Sequence, residues 1–352
     1  MAWTINNIKN DLKRLKSIYR QEKNPTIREE LSRYIFSLEC VLTNFASDRK
    51  ENVVKRGDFF VCQDYIPRYR SQMPHVRKFI ELTDDYVEDK RYTREGKEYN
   101  FKDMYELSRE FYKSVGGKFY KAYEEFDKER HNRINFFPMS PIDSTTYTIP
   151  VLNKFYMNIG TDGEDEEIIE TFIHEAGHVL SFKQNNKRYD SLQLFTEIES
   201  QFFEILADEY LREQTHDDYF LDLERNRLNK FYTAGNVMDI FNIAYNTTVD
   251  NITEIDNPDK VFIEICKNEG LLKTTPVNID ETMKYLFSYI CAVELVQIYK
   301  EDPDKALFLL ENIISTDNTI SEYERIVRNV TPNEHAKEYC KRLAKDNKKT
   351  FQ

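Results

Sequence analysis

The sequence Ile-His-Glu-Ala-Gly-His-Val occupies residues 173–179 and decides the fold class. Two residues that are four apart lie on one face of an α-helix, one turn from each other. The imidazoles of His174 and His178 are then able to bind one zinc ion through two nitrogens. Glu175, next to the first histidine, is placed to take a proton from zinc-bound water. The motif therefore predicts a helix that carries a hydrolytic zinc site.

The residues around this motif are typical of a helical protein. No proline occurs between Pro150 and Pro258, so this part of the chain is predicted to be a stack of helices. Residues 164–167 are acidic, which suits the first turn of a helix, and we expect them to be exposed to solvent. Residues 155–159 predict a strand. The expected fold class is mainly α, with a small β element before the zinc-binding helix.

Apolar residues at three- and four-residue spacings predict further helices on both sides of the motif. These helices are expected at residues 5–19, 27–45, 101–128 (with a break at the glycine pair 116–117), 280–300, 304–315, 321–329 and 333–345. We place a domain boundary near residue 130. Residues 1–130 would form an amino-terminal helical region, and residues 131–352 a helical catalytic region.

The composition excludes several classes of protein. Nine glycines in 352 residues leave no glycine-rich phosphate-binding loop and disfavour a turn-rich β fold. The net charge of −12 disfavours nucleic acid as a partner. Five cysteines without a C-x-x-C pair, and an amino terminus unlike a signal peptide, predict a cytoplasmic protein. No apolar stretch is long enough for a membrane span, and nothing indicates an oligomeric state.

A catalytic zinc site needs a third protein ligand and leaves one position for water. Residues 191–212 predict a helix with one polar stripe, made of Glu197, Gln201, Glu204 and Asp208. Glu197 is the preferred third ligand, and Glu204 or Asp208 would accept the free ring N–H of a ligating histidine. Two alternatives stay open. Glu204 would be the ligand instead, or the stripe would simply face solvent.

These motifs resemble those of the M3 family of zinc oligopeptidases, the thimet oligopeptidase and oligoendopeptidase F group. The family's zinc helix reads H-E-x-G-H, as residues 174–178 do, and its third ligand lies in a downstream E-x-x-S segment, matched by Glu197 and Ser200. The resemblance covers roughly residues 150–300. It implies a helical metallopeptidase of gluzincin type, with one zinc ion per chain, that hydrolyses short peptides admitted to a confined channel.

The resemblance also implies a role for two tyrosines. Tyr285 and Tyr289 lie in a segment similar to the family's late helix, whose tyrosines bind the substrate carbonyl and the developing oxyanion. Core packing is the alternative, because the chain has 23 tyrosines. Family members are typically longer, so we expect a shortened amino-terminal region. They also carry a histidine upstream of these tyrosines, whereas residues 217–334 contain none.

The rival function comes from a different class of protein. A non-catalytic module would use the same groove to hold a peptide or a protein partner. The intact His174, Glu175 and His178 favour the enzyme, because a binding module has no use for a general base.

Overall fold

The computed structural model describes residues 2–46, 71–88, 91–185, 197–250, 279–314 and 328–345. The helices are α1 (Ala2–Gln21), α2 (Pro25–Ala46), α3 (Met73–Thr83), α4 (Phe101–Val115), α5 (Gly117–Glu129), α6 (Asp165–Asn185), α7 (Ile198–Thr215), α8 (Tyr219–Asp250), α9 (Ile279–Glu301), α10 (Pro303–Ile314) and α11 (Ala336–Lys345). The strands are β1 (Ile134–Phe137), β2 (Thr145–Ile149) and β3 (Lys154–Gly160). The expected fold class, mainly helical with a small β element before the motif helix, is confirmed.

The chain divides into two compact units. One comprises Met1–Phe59 and Gly96–Asp190, and the other comprises Phe60–Glu95 and Ser191–Gln352. The units do not part near residue 130, because α4 and α5, which precede that residue, pack against α6 in the first unit. The expected division into an amino-terminal helical region, 1–130, and a helical catalytic region, 131–352, stays a prediction. The helix expected at 321–329 falls almost entirely outside the described residues.

The sheet of the first unit has the order β1-β3-β2, with β3 parallel to β1 and antiparallel to β2. Successive side chains of a strand point to opposite faces of the sheet. Phe155 packs against Phe126 of α5, with ring centroids 5.5 Å apart. Its neighbour Tyr156 belongs to a separate apolar cluster with α1 and α2. The sheet therefore lies between the α1–α2 pair and the helices that surround the motif.

Two side-chain hydrogen bonds fix α6 within this unit. The Tyr112 hydroxyl of α4 donates to the carbonyl oxygen of Ile173 over 2.8 Å. The Thr146 hydroxyl of β2 donates to the carbonyl oxygen of Glu175 over 3.1 Å. Because these carbonyls flank His174, the bonds hold the motif in place from two different elements.

The start of α6 is more buried than its composition suggests. Gly160 ends β3, and a side chain there would collide with the carbonyl oxygen of Ser140. Glu166 is fully buried, and its carboxylate accepts the backbone N–H of Lys97 over 2.5 Å. The expectation of an exposed acidic run is therefore wrong for Glu166, because the segment that leads into α4 covers the first turn of α6.

The second unit is a bundle of helices. Helix α9 packs along α7 and also contacts α8 and α3. Its buried face carries large side chains, among them Leu286, Phe287 and Tyr289. Within the described ranges, no helix combines the length and apolar character needed to cross a membrane.

A buried ionic cluster ties α1 to the sheet in the first unit. Asp11 is 5% exposed. Its carboxylate accepts hydrogen bonds from the Lys154 ammonium at 2.7 Å and from the Tyr156 hydroxyl at 2.6 Å. The Arg133 guanidinium lies 3.7 Å from the same carboxylate. The negative charge of Asp11 is therefore well compensated, which a buried carboxylate requires.

The variant Asp11→Ala tests this cluster. Breaking a buried ion pair costs about 3–5 kcal/mol. Because the Lys154 side chain is 26% exposed, we expect a loss near the lower end, about 3 kcal/mol in the free energy of unfolding measured by urea denaturation. The control Glu39→Ala removes an exposed ion pair with Lys16 and should cost less than about 1 kcal/mol. Similar losses in the two variants would contradict the role given to Asp11.

Candidate active site

His174 and His178 share one face of α6. Their ring centroids are 5.1 Å apart, and the ring planes meet at 85°. Both side chains are partly exposed, whereas Ile173, Ala176 and Val179 on the rest of the helix are fully buried. Within residues 173–179, the two imidazole rings thus lie together on the part of the helix that is not buried.

Glu175 lies between the two histidines in sequence and is 6% exposed. Its backbone carbonyl is held by Thr146, but its carboxylate oxygen Oε2 has no hydrogen-bond partner within the described part of the protein. Leaving a buried polar atom unpaired costs about 1–3 kcal/mol. Such an atom calls for an explanation.

Glu197 belongs to the second unit, where it is the residue immediately before α7. It was expected inside a helix spanning 191–212, but α7 begins at Ile198, and residues 186–196 lie outside the described ranges. The Glu197 carbonyl accepts the first bond of the helix, from the Gln201 N–H at 3.0 Å. This position at the start of α7 fixes the backbone of Glu197.

The carboxylate of Glu197 is almost fully buried, at 4% exposure, and is held by two groups. Its Oε1 lies 2.8 Å from the ammonium nitrogen of Lys284 on α9. Its Oε2 accepts a hydrogen bond from the Ser200 hydroxyl over 3.3 Å. A buried carboxylate needs such partners to stay charged. The sequence motifs do not include Lys284, and its one signal in the sequence is that it directly precedes Tyr285.

The rest of the polar stripe on α7 has other partners. Arg227 of α8 donates from Nε to Glu204 over 3.0 Å and from a terminal nitrogen to Asp208 over 2.8 Å. Gln201 donates to the carbonyl oxygen of Tyr285 over 3.2 Å. The alternative that the stripe simply faces solvent is therefore wrong, because these residues contact α8 and α9. Glu204 pairs with Arg227 much as Glu197 pairs with Lys284, so ion pairing does not separate the two candidate ligands. The third ligand, and the expected bond from a histidine ring to Glu204 or Asp208, stay predictions.

The two tyrosines of α9 differ in their surroundings. Tyr289 is fully buried, its ring stacks on Phe231 at 4.4 Å, and its hydroxyl lies 3.1 Å from the Tyr339 hydroxyl. Burial raises the pKa of the Tyr289 hydroxyl. Tyr285 is partly exposed, and its ring lies 4.9 Å from the Lys284 ammonium. These contacts favour core packing for Tyr289 and leave Tyr285 as the better candidate for contact with a substrate.

The fold is shared with solved peptidase structures. No family model and no curated protein matches the sequence. A crystal structure assigned as an oligoendopeptidase F from Bacillus anthracis str. Ames has a TM-score of 0.52 and 13% identity, over 92% of this chain and 63% of that one. A second structure assigned as oligoendopeptidase F gives 0.53 and 13%, over 90% and 64%. The chain thus spans less than two thirds of these proteins and has their mainly helical fold.

Proposed function

We propose that the protein is a zinc-dependent metallopeptidase that hydrolyses peptide bonds in short peptides. The observation that carries this proposal is the arrangement on α6. His174 and His178 share an open face, and the carboxylate of Glu175 between them has a buried oxygen without a hydrogen-bond partner in the described residues. The fold in common with oligoendopeptidase F structures supports peptides as the substrate class.

His174, His178 and Glu197 would hold one zinc ion per chain. Each offers one ligand atom, so the set consists of two imidazole nitrogens and one carboxylate oxygen. Two histidines and a glutamate are a ligand set of catalytic zinc sites, which keep a fourth position open. The histidines belong to the first unit and Glu197 to the second, so their joint binding of one ion is itself part of the proposal. Bound there, zinc would lower the pKa of a water molecule and polarise the scissile carbonyl.

The protein's own residues would move the proton and stabilise charge. Glu175 takes a proton from the attacking water as the water oxygen forms a bond to the carbonyl carbon. It then gives that proton to the amine nitrogen as the carbon–nitrogen bond breaks. Tyr285 donates a hydrogen bond to the carbonyl oxygen while that oxygen carries negative charge. One water is consumed, and the products are a new carboxyl terminus and a new amino terminus.

Removal of the general base gives the first test of this function. The purified protein should contain about one zinc per chain, and Glu175→Gln should keep the metal while hydrolysis falls by about 10²–10⁴-fold. Zinc is measured by mass spectrometry of the metal, and hydrolysis by digestion of a mixed peptide library with and without chelator. Unchanged hydrolysis in Glu175→Gln would refute the mechanism. A wild-type protein that binds peptides without cleaving them would support the non-catalytic module instead.

Variants in the first turn of α7 test the third ligand. Glu197→Ala should lose zinc, because two imidazoles alone hold it weakly. Glu199→Ala removes another buried carboxylate two residues away and should keep zinc, as should Glu204→Ala. The zinc content of each folded variant is measured after dialysis against a weak chelator. Loss of zinc in Glu204→Ala but not in Glu197→Ala would move the ligand to Glu204.

The tyrosines of α9 are separated by matched phenylalanine variants. Tyr285→Phe should lower kcat by about 10²–10³-fold at unchanged zinc content, as expected for loss of one oxyanion donor. Tyr289→Phe removes a buried hydroxyl bonded to Tyr339, so it should lower the free energy of unfolding by about 1 kcal/mol and leave kcat nearly unchanged. Steady-state kinetics and urea denaturation measure both quantities. The reverse pattern would give the oxyanion role to Tyr289.

A further inference from the structure

We propose that Lys284 is a substrate-binding residue whose ammonium group contacts an anionic oxygen of the peptide beside Glu197. This inference deepens the proposed function and rests on it. Lys284 lies outside the His-Glu-x-x-His segment. It is neither one of the proposed zinc ligands nor the tyrosine proposed to bind the oxyanion.

The hydrogen-bonding capacity of Lys284 is only partly used by its neighbours. A lysine ammonium group has three N–H donors. In the structure its nitrogen lies 2.8 Å from Glu197 Oε1, and within the described part of the chain its one other contact is the face of the Tyr285 ring, at 4.9 Å. The ring face attracts the positive charge of the ammonium group and is not a conventional hydrogen-bond acceptor for its N–H groups. Two donors therefore remain for a ligand.

Lys284 is largely buried and is held by its neighbours. The Lys284 side chain is 14% exposed, so its ammonium group is largely removed from bulk water. In this less polar environment its attraction to an anion is stronger than in solution. The ion pair with Glu197 and the contact with Tyr285 hold the side chain in one place. A charge fixed in this way is preorganised for a ligand and needs little rearrangement when the ligand binds.

The charge of Lys284 indicates an anionic ligand. A peptide substrate offers anionic oxygen from two sources near a cleavage site, the terminal carboxylate and the carbonyl oxygen during attack. Both suit a lysine ammonium, which is a compact point charge. The segment 217–334 contains no histidine, so in this stretch of sequence a cationic donor has to be a lysine or an arginine. Lys284 is the one held directly against Glu197 and Tyr285.

The experiment measures peptide binding and turnover separately. Zinc-loaded Glu175→Gln, which should bind peptides without cleaving them, is titrated with a labelled peptide that it does not cleave, carrying either a free or an amidated carboxyl terminus. The same titration is made with Glu175→Gln/Lys284→Met. In parallel, kcat and KM of Lys284→Met are measured on both peptides with Glu175 intact.

If the terminal carboxylate is the ligand, loss of Lys284 should weaken binding of the free-acid peptide by about ten- to hundredfold and leave the amidated peptide unaffected. If the oxyanion is the ligand, kcat should fall by a similar factor for both peptides while the dissociation constant of the intact peptide stays the same. Lys284→Arg should retain part of the effect in either case, because it keeps the charge.

Lys300→Met is the matched control. Lys300 lies on the same helix and also pairs with a glutamate of α7, Glu209, at 2.5 Å. Lys300→Met should change neither the binding of the labelled peptide nor kcat. Unchanged binding and kcat in Lys284→Met would overturn the proposal, as would loss of zinc, which would mean that Lys284 serves the metal ligand alone. A wild-type protein without zinc and without hydrolysis would instead refute the proposed function.

Discussion

The hydrogen bonds from Tyr112 and Thr146 to two carbonyl oxygens of α6 are the contacts on which the proposed chemistry depends. They come from a helix, α4, and a strand, β2, and their acceptors flank His174. For a helix that is buried on most of its surface, one rotation about its own axis buries the apolar side chains and leaves the two histidines partly exposed. These two bonds, together with the apolar packing of α6, fix that rotation.

Buried carboxylates set a second constraint, because each needs a partner if it is to stay charged. In the second unit, Arg227 pairs with Glu204 and Asp208, while Lys284 pairs with Glu197. The polar stripe of α7 is therefore divided between two cations. The arginine forms a buried cluster with its two carboxylates. The lysine ammonium pairs with Glu197, the residue at the start of the helix, and has further N–H donors for a ligand. Both residues belong to the site proposed for metal and substrate.

Sequence predicted the features that depend on local spacing. The helix around His174, the strand that precedes it and the helices on both sides follow from short-range periodicity and from the distribution of proline. The contacts of Lys284 with Glu197 and of Glu166 with Lys97 were not predictable in this way, because they join residues far apart in the chain. Likewise, the burial of Tyr289 depends on how α9 packs against other helices, and one sequence does not reveal that packing.

The most direct test of the account is the position of the metal in crystals of the zinc-loaded protein, found by anomalous scattering at the zinc absorption edge. We predict one zinc peak per chain. It should lie about 2.0–2.1 Å from a ring nitrogen of His174 and of His178, and about 2.0–2.2 Å from a carboxylate oxygen of Glu197. The absence of a peak at the two histidines, or a peak bound to Glu204 with Glu197 uninvolved, would contradict it.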